Sequence, residues 1–409
     1  MANFDLMRQL AKPEGGKMIL LILDGLGGLP LEVDGLTELE SATTPNLDRL
    51  AREGSNGLSI PIALGIEPGS GPGHLALFGY DPLFFDVGRG ALEAAGAGLD
   101  LREGDVVARG NFATIDQNGL ISDRRAGRIS TEQGEKACAS LAEITLPGVE
   151  LTVKEVKEHR FAIRLRGQGL DPRILDTDPL EVGKAPLSAE PMSEAKNDPA
   201  AQHTAALINA FLEQARVKLA SHHPANFANL RGFAGDPALP KFQDVYKLNA
   251  ACVAVYPMYQ GVSRLVGMDV IETTAHDTPL DEFQRVEANW DKYDFFFVHI
   301  KYTDSRGEDG KFAEKAAVIE QVDAALPALL DLQPDVLCVS GDHSTPAKLM
   351  SHSFHPVPTL IWAPQRHMRD RVTSFGEREA LAGALGQFSA TDLMPLLLAH
   401  AGRLARYGA

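Results

Sequence analysis

Met18-Ile19-Leu20-Leu21-Ile22-Leu23-Asp24-Gly25 sets six apolar residues directly ahead of a carboxylate and a glycine. A run this short, without period-two alternation, fits a strand buried on both faces of a mostly parallel sheet. Three more runs read the same way: Phe295 to Ile300 before Lys301, Val336 to Ser340 before Gly341-Asp342-His343, and Thr359 to Trp362. Helical patterns lie between them. Thr44 is expected to cap a helix with Pro45 in its first turn and Gly54 just past its end; Phe312 to Leu330 predicts a longer helix, and the segment after Thr391 a terminal one. Strands alternating with helices predict an α/β core, whose ligands gather where the strands reach their carboxyl ends. Asp24 and the Asp342-His343 pair are expected at that edge.

The middle of the chain has another character. Val106 to Ile115 and the residues after Asn118-Gly119 predict one hairpin; Leu151 to Val156 with Arg160 to Leu165 predicts a second. Antiparallel hairpins with interspersed helices predict a smaller α+β domain, inserted at about 86–244 between core segments 1–85 and 245–409. The length, 409 residues, exceeds one ordinary core and suits this division. With 39 Lys and Arg against 55 Asp and Glu the net charge is −16, which disfavours nucleic acid and anionic membrane surfaces as partners. Cys138, Cys252 and Cys338 form no CxxC or zinc spacing and suggest a reducing compartment. The apolar run at 18–23 is too short for a signal-peptide core or a membrane span, so the expected location is cytoplasmic.

Four segments carry chemistry. Asp24 follows a buried strand, where a carboxylate needs a cation or donors; a turn or helix cap would also account for it. In Gly69-Ser70-Gly71-Pro72-Gly73-His74 small neighbours leave Ser70 exposed to a reacting group, although serines among glycines also make plain loops. His74, four residues on, reads either as a phosphate-positioning group or as part of a helix cap. Gly341-Asp342-His343 with the trailing His352 and His355 offers oxygen and nitrogen ligands suited to Zn²⁺ or Mn²⁺, the alternative being a capping Asp and solvated histidines. Thr303-Asp304-Ser305-Arg306-Gly307-Glu308-Asp309-Gly310, taken alone, is an acidic turn.

The order of these segments resembles the alkaline phosphatase superfamily, and specifically the 2,3-bisphosphoglycerate-independent phosphoglycerate mutases of archaeal type. Further matches are Thr43-Thr44-Pro45-Asn46-Leu47-Asp48, His74 to Pro82, Gly88-Arg89-Gly90, Asn111-Phe112-Ala113-Thr114, Asp123-Arg124-Arg125-Ala126-Gly127-Arg128 and Asp176-Thr177-Asp178-Pro179. The resemblance implies an alkaline-phosphatase-like core with a mostly parallel sheet and an inserted α+β domain. It also implies that Ser70 carries phosphate during exchange between 3- and 2-phosphoglycerate, with two divalent metals and no bisphosphoglycerate. Asp24, Ser70, Asp342 and His343 would surround one metal; Asp304 and His352 would hold the other. The family's usual Gly-His-Asp-Gly is here Gly307-Glu308-Asp309-Gly310, so Glu308 stands where a histidine ligand is expected. Carboxylate in place of imidazole favours Mn²⁺ or Mg²⁺ over Zn²⁺. His355 stands where the family is usually acidic, which raises the idea that it partly restores the lost imidazole; a loop histidine is the simpler reading.

A mutase must also retain glycerate and exclude water, which calls for cationic groups to grip carboxylate and phosphate. Arg109, Arg124, Arg125, Arg128, Arg160 and Arg166 are the candidates, with Asp123, Asp176 or Asp178 to orient them or carry protons. The expected partner is a small phosphorylated hydroxy acid, and a homo-oligomer is left open. Two other functions compete: a metal-dependent phosphatase or phosphonate hydrolase on the same core, favoured by the change at Glu308 and by the absence of the family's Gly-Ala-Thr-Gly pattern after Ile271, and a non-catalytic phosphometabolite-binding protein. Retention of Ser70, Asp24, Asp342 and His343 opposes the last.

Overall fold

Six consecutive apolar side chains can all be buried only if a strand is covered on both faces, and Met18–Leu23 is, with every residue at 0% exposure. The computed structural model describes residues 4–85 and 87–408. Its strands are β1 Met18–Leu23, β2 Ser55–Ile60, β3 Val106–Ile115, β4 Ile121–Asp123, β5 Val149–Lys157, β6 Arg160–Gly167, β7 Phe227–Ala234, β8 Ala250–Ala254, β9 Asp269–Val270, β10 Phe295–Ile300, β11 Val336–Ser340, β12 Val357–Trp362 and β13 Gly386–Ser389. They divide between two compact units, 87–238 and the remainder of the chain on either side.

The discontinuous unit is built on an eight-stranded sheet of order β13-β2-β12-β11-β1-β10-β8-β9. Only β12 runs against its neighbours, pairing antiparallel with β11 and β2. The central trio β11, β1 and β10 is parallel and in register, Leu20 lying opposite both Phe297 and Cys338. Their carboxyl ends therefore finish at one edge, the geometry on which α/β sites are built. Residues 239–244, expected in the insertion, belong to this unit, where Phe242 packs edge-on against Phe78 at 5.7 Å and Tyr80 donates to the carbonyl of Pro240.

Local signals held with two adjustments. The helix Pro45–Glu53 forms as expected, but the Thr44 side chain makes no cap bond. Asp323, from the helix Phe312–Ala325, accepts instead from the backbone N–H groups of Asn46 (3.3 Å) and Leu47 (2.7 Å). The stretch 312–330 is two helices, Phe312–Ala325 and Pro327–Leu330, because Pro327 has no N–H to continue the ladder.

The inserted unit is an antiparallel sheet in which β3 pairs with β4, β6 and β7, and β5 extends β6. Alternation divides its faces. Val106, Ala108, Phe112, Phe161 and Ile163 join a core with residues of the helices Thr131–Ala142 and Pro199–Leu219. Val107 and Ala162 turn the other way, onto Ala91 and Ala94 of the helix Arg89–Gly96. Among the described residues no helix is long and apolar enough to cross a membrane.

Asp323→Ala is expected to lower stability by about 1–3 kcal/mol, since it strands two helix N–H groups and leaves the Asn46 amide only the backbone carbonyl of residue 323. Urea unfolding would measure it.

Candidate active site

The β11-β1-β10 edge gathers the carboxylates. Asp24 follows β1, Asp342 lies two residues beyond β11, and Asp304 sits on the helix Tyr302–Glu308 that follows β10. The turn after Asp24 needs glycine: Gly25 has φ +62°, and a Cβ there would lie 2.5 Å from Thr345 Oγ1 and 2.9 Å from Asp304 Oδ1. Ser70 opens the helix Ser70–Leu77, whose Gly73 approaches the backbone of Asp342 so closely that a Cβ would meet its carbonyl oxygen at 2.6 Å.

Two ligand groups result. Asp24, Asp342 and His343 form one, and Asp304, His343 and His352 the other; within each, one ligand atom per residue lies within 4.8 Å of the rest. The first group is wholly buried. His343 Nε2 is 3.3 Å from Asp24 Oδ1, 3.2 Å from Asp342 Oδ2 and 3.2 Å from Ser70 Oγ. Hydrogen bonds assign its protonation. Thr345 Oγ1 donates to Asp304 Oδ1 at 2.7 Å, so toward His343 Nδ1 at 3.0 Å it acts as acceptor, and Nδ1 carries the proton. His352 Nδ1 likewise donates, to the carbonyl of Pro68 at 2.9 Å. Both histidines thereby turn Nε2 toward carboxylates.

Asp24 Oδ1 and Asp342 Oδ2 have no hydrogen-bond partner although buried. Two buried carboxylate oxygens without donors, gathered with a serine hydroxyl at one imidazole nitrogen, are costly unless a cation lies among them. The donor set therefore fits a divalent metal. Lys301 supplies the protein's own cation, its ammonium reaching Asp24 Oδ2 (2.9 Å) and Asp304 Oδ2 (2.5 Å). Burial works to raise the Asp24 pKa, but Lys301, then His299 and His343, hold it well below the usual carboxylate value. Asp342 is pushed up by burial and Asp24, yet His343 and His74 win and it too falls. Burial lowers His74, which Asp342 overcomes, so that histidine is raised. Its Nδ1 donates to the carbonyl of Ser70 at 2.7 Å and lies 3.2 Å from Asp342 Oδ2, joining the serine to the buried carboxylate. Tyr259 donates to Asp24 Oδ2, and burial together with Asp24 keeps its phenol protonated.

Glu308 lies beside these groups and outside them, its side chain 53% exposed and Oε1 3.9 Å from His352 Nε2. His355 belongs to neither group; its Nδ1 meets Ser353 Oγ at 3.1 Å.

In the inserted unit the register assembles a different cationic site. Arg109 and Asn111 of β3 share a face with Arg160 of β6 and with Asn229 and Arg231 of β7. Glu93, from the helix Arg89–Gly96, lies 3.1 Å from Arg109; burial raises its pKa against the pull of Arg109, Arg160, Arg89 and Arg231. Arg109 Nε, Arg160 Nε, Asn111 Oδ1 and both polar atoms of the Asn229 side chain are buried without partners. Such an array suits an anion with several oxygens. Arg124 is committed elsewhere, as a fork on Asp178 at 3.1 and 2.8 Å, and Arg166 grips Asp105. Arg125 and Arg128 are exposed. Asp123 closes its own turn by accepting from the N–H groups of Arg125 and Gly127, both at 2.7 Å.

Residues 51–226 match the profile of 2,3-bisphosphoglycerate-independent phosphoglycerate mutase. The chain is 49% identical over 409 residues, 99% of both chains, to a probable 2,3-bisphosphoglycerate-independent phosphoglycerate mutase of Thermus thermophilus. A counterpart so described from Deinococcus radiodurans is 50% identical over 99% of both chains. The chain belongs to this mutase family. The solved cofactor-independent phosphoglycerate mutase of Thermoplasma acidophilum superposes with a TM-score of 0.74 at 32% identity, covering 95% of this chain and 100% of that one. A Pyrococcus horikoshii protein superposes at 0.80, also 32% identical, over 97% and 100%.

Within this mutase, sequence reading did not single out Lys301, His299, Tyr259, Thr345, Arg89 or Arg231. Lys301 and His299 flank the end of a strand already located, which was a usable signal; Tyr259 and Arg231 reach their partners only through tertiary contact.

Asp342→Asn removes one of two adjacent buried negative charges. In chelator-treated protein it should melt no lower than wild type, while the stabilisation from saturating Mn²⁺ should fall by the share of one site, about 2.7 kcal/mol at 100 times Kd. A Mn²⁺-induced shift in melting temperature equal to that of wild type would remove Asp342 from the candidate ligand set.

Proposed function

We propose that the chain interconverts 3-phosphoglycerate and 2-phosphoglycerate, without bisphosphoglycerate, through a phosphoserine on Ser70. The observation that carries this reading is the convergence of Ser70 Oγ with Asp24, Asp342 and His343 in one group whose carboxylate oxygens lack partners. On this reading Asp24, Ser70, Asp342 and His343 hold one divalent ion, and Asp304 and His352 hold a second with Glu308 as an added donor. The oxygen-rich set favours Mn²⁺ or Mg²⁺ over Zn²⁺. Bound there, the ions supply Lewis acidity, lowering the Ser70 hydroxyl pKa and neutralising phosphoryl oxygens.

The chain's own groups account for the remainder. Ser70 lies at the N-terminus of its helix, where unbonded N–H groups and the helix dipole favour an incoming phosphoryl group. As the Ser70 Oγ–P bond forms, the P–O bond to the 3-oxygen of glycerate breaks; Ser70 gives up a proton and the glycerate oxygen gains one. The reverse step delivers the phosphoryl group to the 2-oxygen. His74 restrains the Ser70 backbone and Asp342 together, and Lys301 offsets Asp24 and Asp304.

Glycerate must stay bound between the two transfers. We assign its retention to Arg109 and Arg160, in preference to Arg124, Arg125, Arg128 and Asp123, because each carries a buried guanidinium nitrogen without a partner on one face of the sheet. Three buried, unpaired cysteines accord with a cytoplasmic location.

³¹P NMR of Mn²⁺-loaded protein with 3-phosphoglycerate should show 2-phosphoglycerate without added bisphosphoglycerate. Inorganic phosphate as the sole product would replace the mutase with a hydrolase. Ser70→Ala should lower turnover by roughly 10⁴-fold or more. Arg160→Ala should cost about 10- to 100-fold in kcat/KM, and an unchanged value would move glycerate binding away from β6. Glu308→Ala is expected to release one of the two metal equivalents under dialysis; retention of both at equal affinity would show that this carboxylate is no ligand.

A further inference from the structure

Thr345 is fully buried and belongs to neither ligand group, yet it touches both. Its hydroxyl donates to Asp304 Oδ1 at 2.7 Å and accepts from His343 Nδ1 at 3.0 Å. Asp304 belongs to one group only; His343 belongs to both. A single hydroxyl thus orients the carboxylate of the second group and fixes the tautomer of the imidazole common to the two.

The backbone of Thr345 is held with equal care. Its N–H lies 3.2 Å from the carbonyl of Gly25 and 3.0 Å from that of Gly27, and its own carbonyl accepts from Lys315 Nζ at 2.9 Å. The Lys315 ammonium, on the helix Phe312–Ala325 and at 0% exposure, donates also to Gly25 O at 2.8 Å and Gly27 O at 3.0 Å. Its three protons are therefore spent on the loop after β1 and the loop after β11. A buried ammonium is costly unless all its donors are used, and here they tie together the two loops that carry Asp24 and His343.

We propose that Thr345 is a positioning residue that couples the two metal groups, with Lys315 as the anchor that keeps its hydroxyl between Asp304 and His343. The inference rests on the reading of these residues as metal ligands. An ion at either group finds Nε2 of His343 already aimed, because the hydroxyl holds Nδ1; loss of that hydroxyl releases the ring at Nδ1 and Asp304 at Oδ1, leaving Asp304 held by Lys301 through Oδ2 alone, so both affinities should fall. Coupling between two sites is reciprocal in binding free energy, and the effect on each ion can be read from binding alone.

The test is Mn²⁺ binding to the chelator-stripped full chain, followed by electron paramagnetic resonance of free Mn²⁺, with thermal melts of the metal-free protein as a fold control. Wild type should bind two ions. Thr345→Val, which keeps shape and removes the hydroxyl, should weaken both by about 10- to 100-fold while the metal-free melt moves little. Thr345→Ser, which restores the hydroxyl, should return both affinities to within about threefold of wild type. Lys315→Met should weaken both ions in the same direction. Were Thr345→Val not to fold, Thr345→Ala removes the same hydroxyl and is read in the same way. Two wild-type sites with unchanged affinities in the folded hydroxyl-free variant, or a loss confined to one ion, would overturn the coupling. A wild-type chain that binds no Mn²⁺ would overturn the metal reading itself.

Discussion

Asp24 and Asp342 point carboxylate oxygens at one imidazole nitrogen inside a region with no exposed surface, and the local structure is arranged to make that tolerable. Lys301 takes one oxygen of Asp24, Tyr259 donates to the same oxygen, and His74 stands beside Asp342. Each partner lowers the cost of burying charge, yet Asp24 Oδ1 and Asp342 Oδ2 remain without a donor. A fold selected only for stability would place apolar groups there. Retaining two unpaired buried oxygens is the mark of a site completed by a cation, and the parallel trio β11, β1 and β10 is what holds them in place.

The trio was legible in the sequence because double-faced burial leaves an uninterrupted apolar run, and because Asp24 and Gly341-Asp342-His343 break such runs abruptly. The insertion was legible as a change of period, from continuous apolar strands to alternating ones. Its exit was less so: 239–244 looks like loop, and its allegiance is set by Phe242 meeting Phe78, a contact with no local trace. The Thr44 cap shows the same limit. Local chemistry nominates Thr44, while the structure uses Asp323, 276 residues from Leu47, whose carboxylate reaches two N–H groups at once.

The arginines make the point sharply. Adjacency in Asp123-Arg124-Arg125-Ala126-Gly127-Arg128 suggested a cluster, but a tight turn scatters consecutive side chains, and Arg124 is taken by Asp178. Strand register gathers them instead. Arg109 lies opposite Ala162 and Arg231, and Asn111 opposite Arg160 and Asn229, so residues more than 100 positions apart meet on one face. Period-two alternation was visible in each strand; which strands pair, and therefore which arginines meet, was not.

The two ligand groups differ in their access to solvent, and this bears on how they can work. The first is closed behind by Tyr259 and His299, which stack at 3.6 Å, and by His74. The second opens outward through His352, whose side chain is 19% exposed, toward Glu308 at 53%. A carboxylate near that opening is screened by water, so it can exchange ligands at a smaller desolvation cost than Asp24 or Asp342 would pay. Glu308 at the open side thus adds charge where it is cheapest to add, while on the buried side, where Ser70 meets His343, any added carboxylate would be left without a counter-charge.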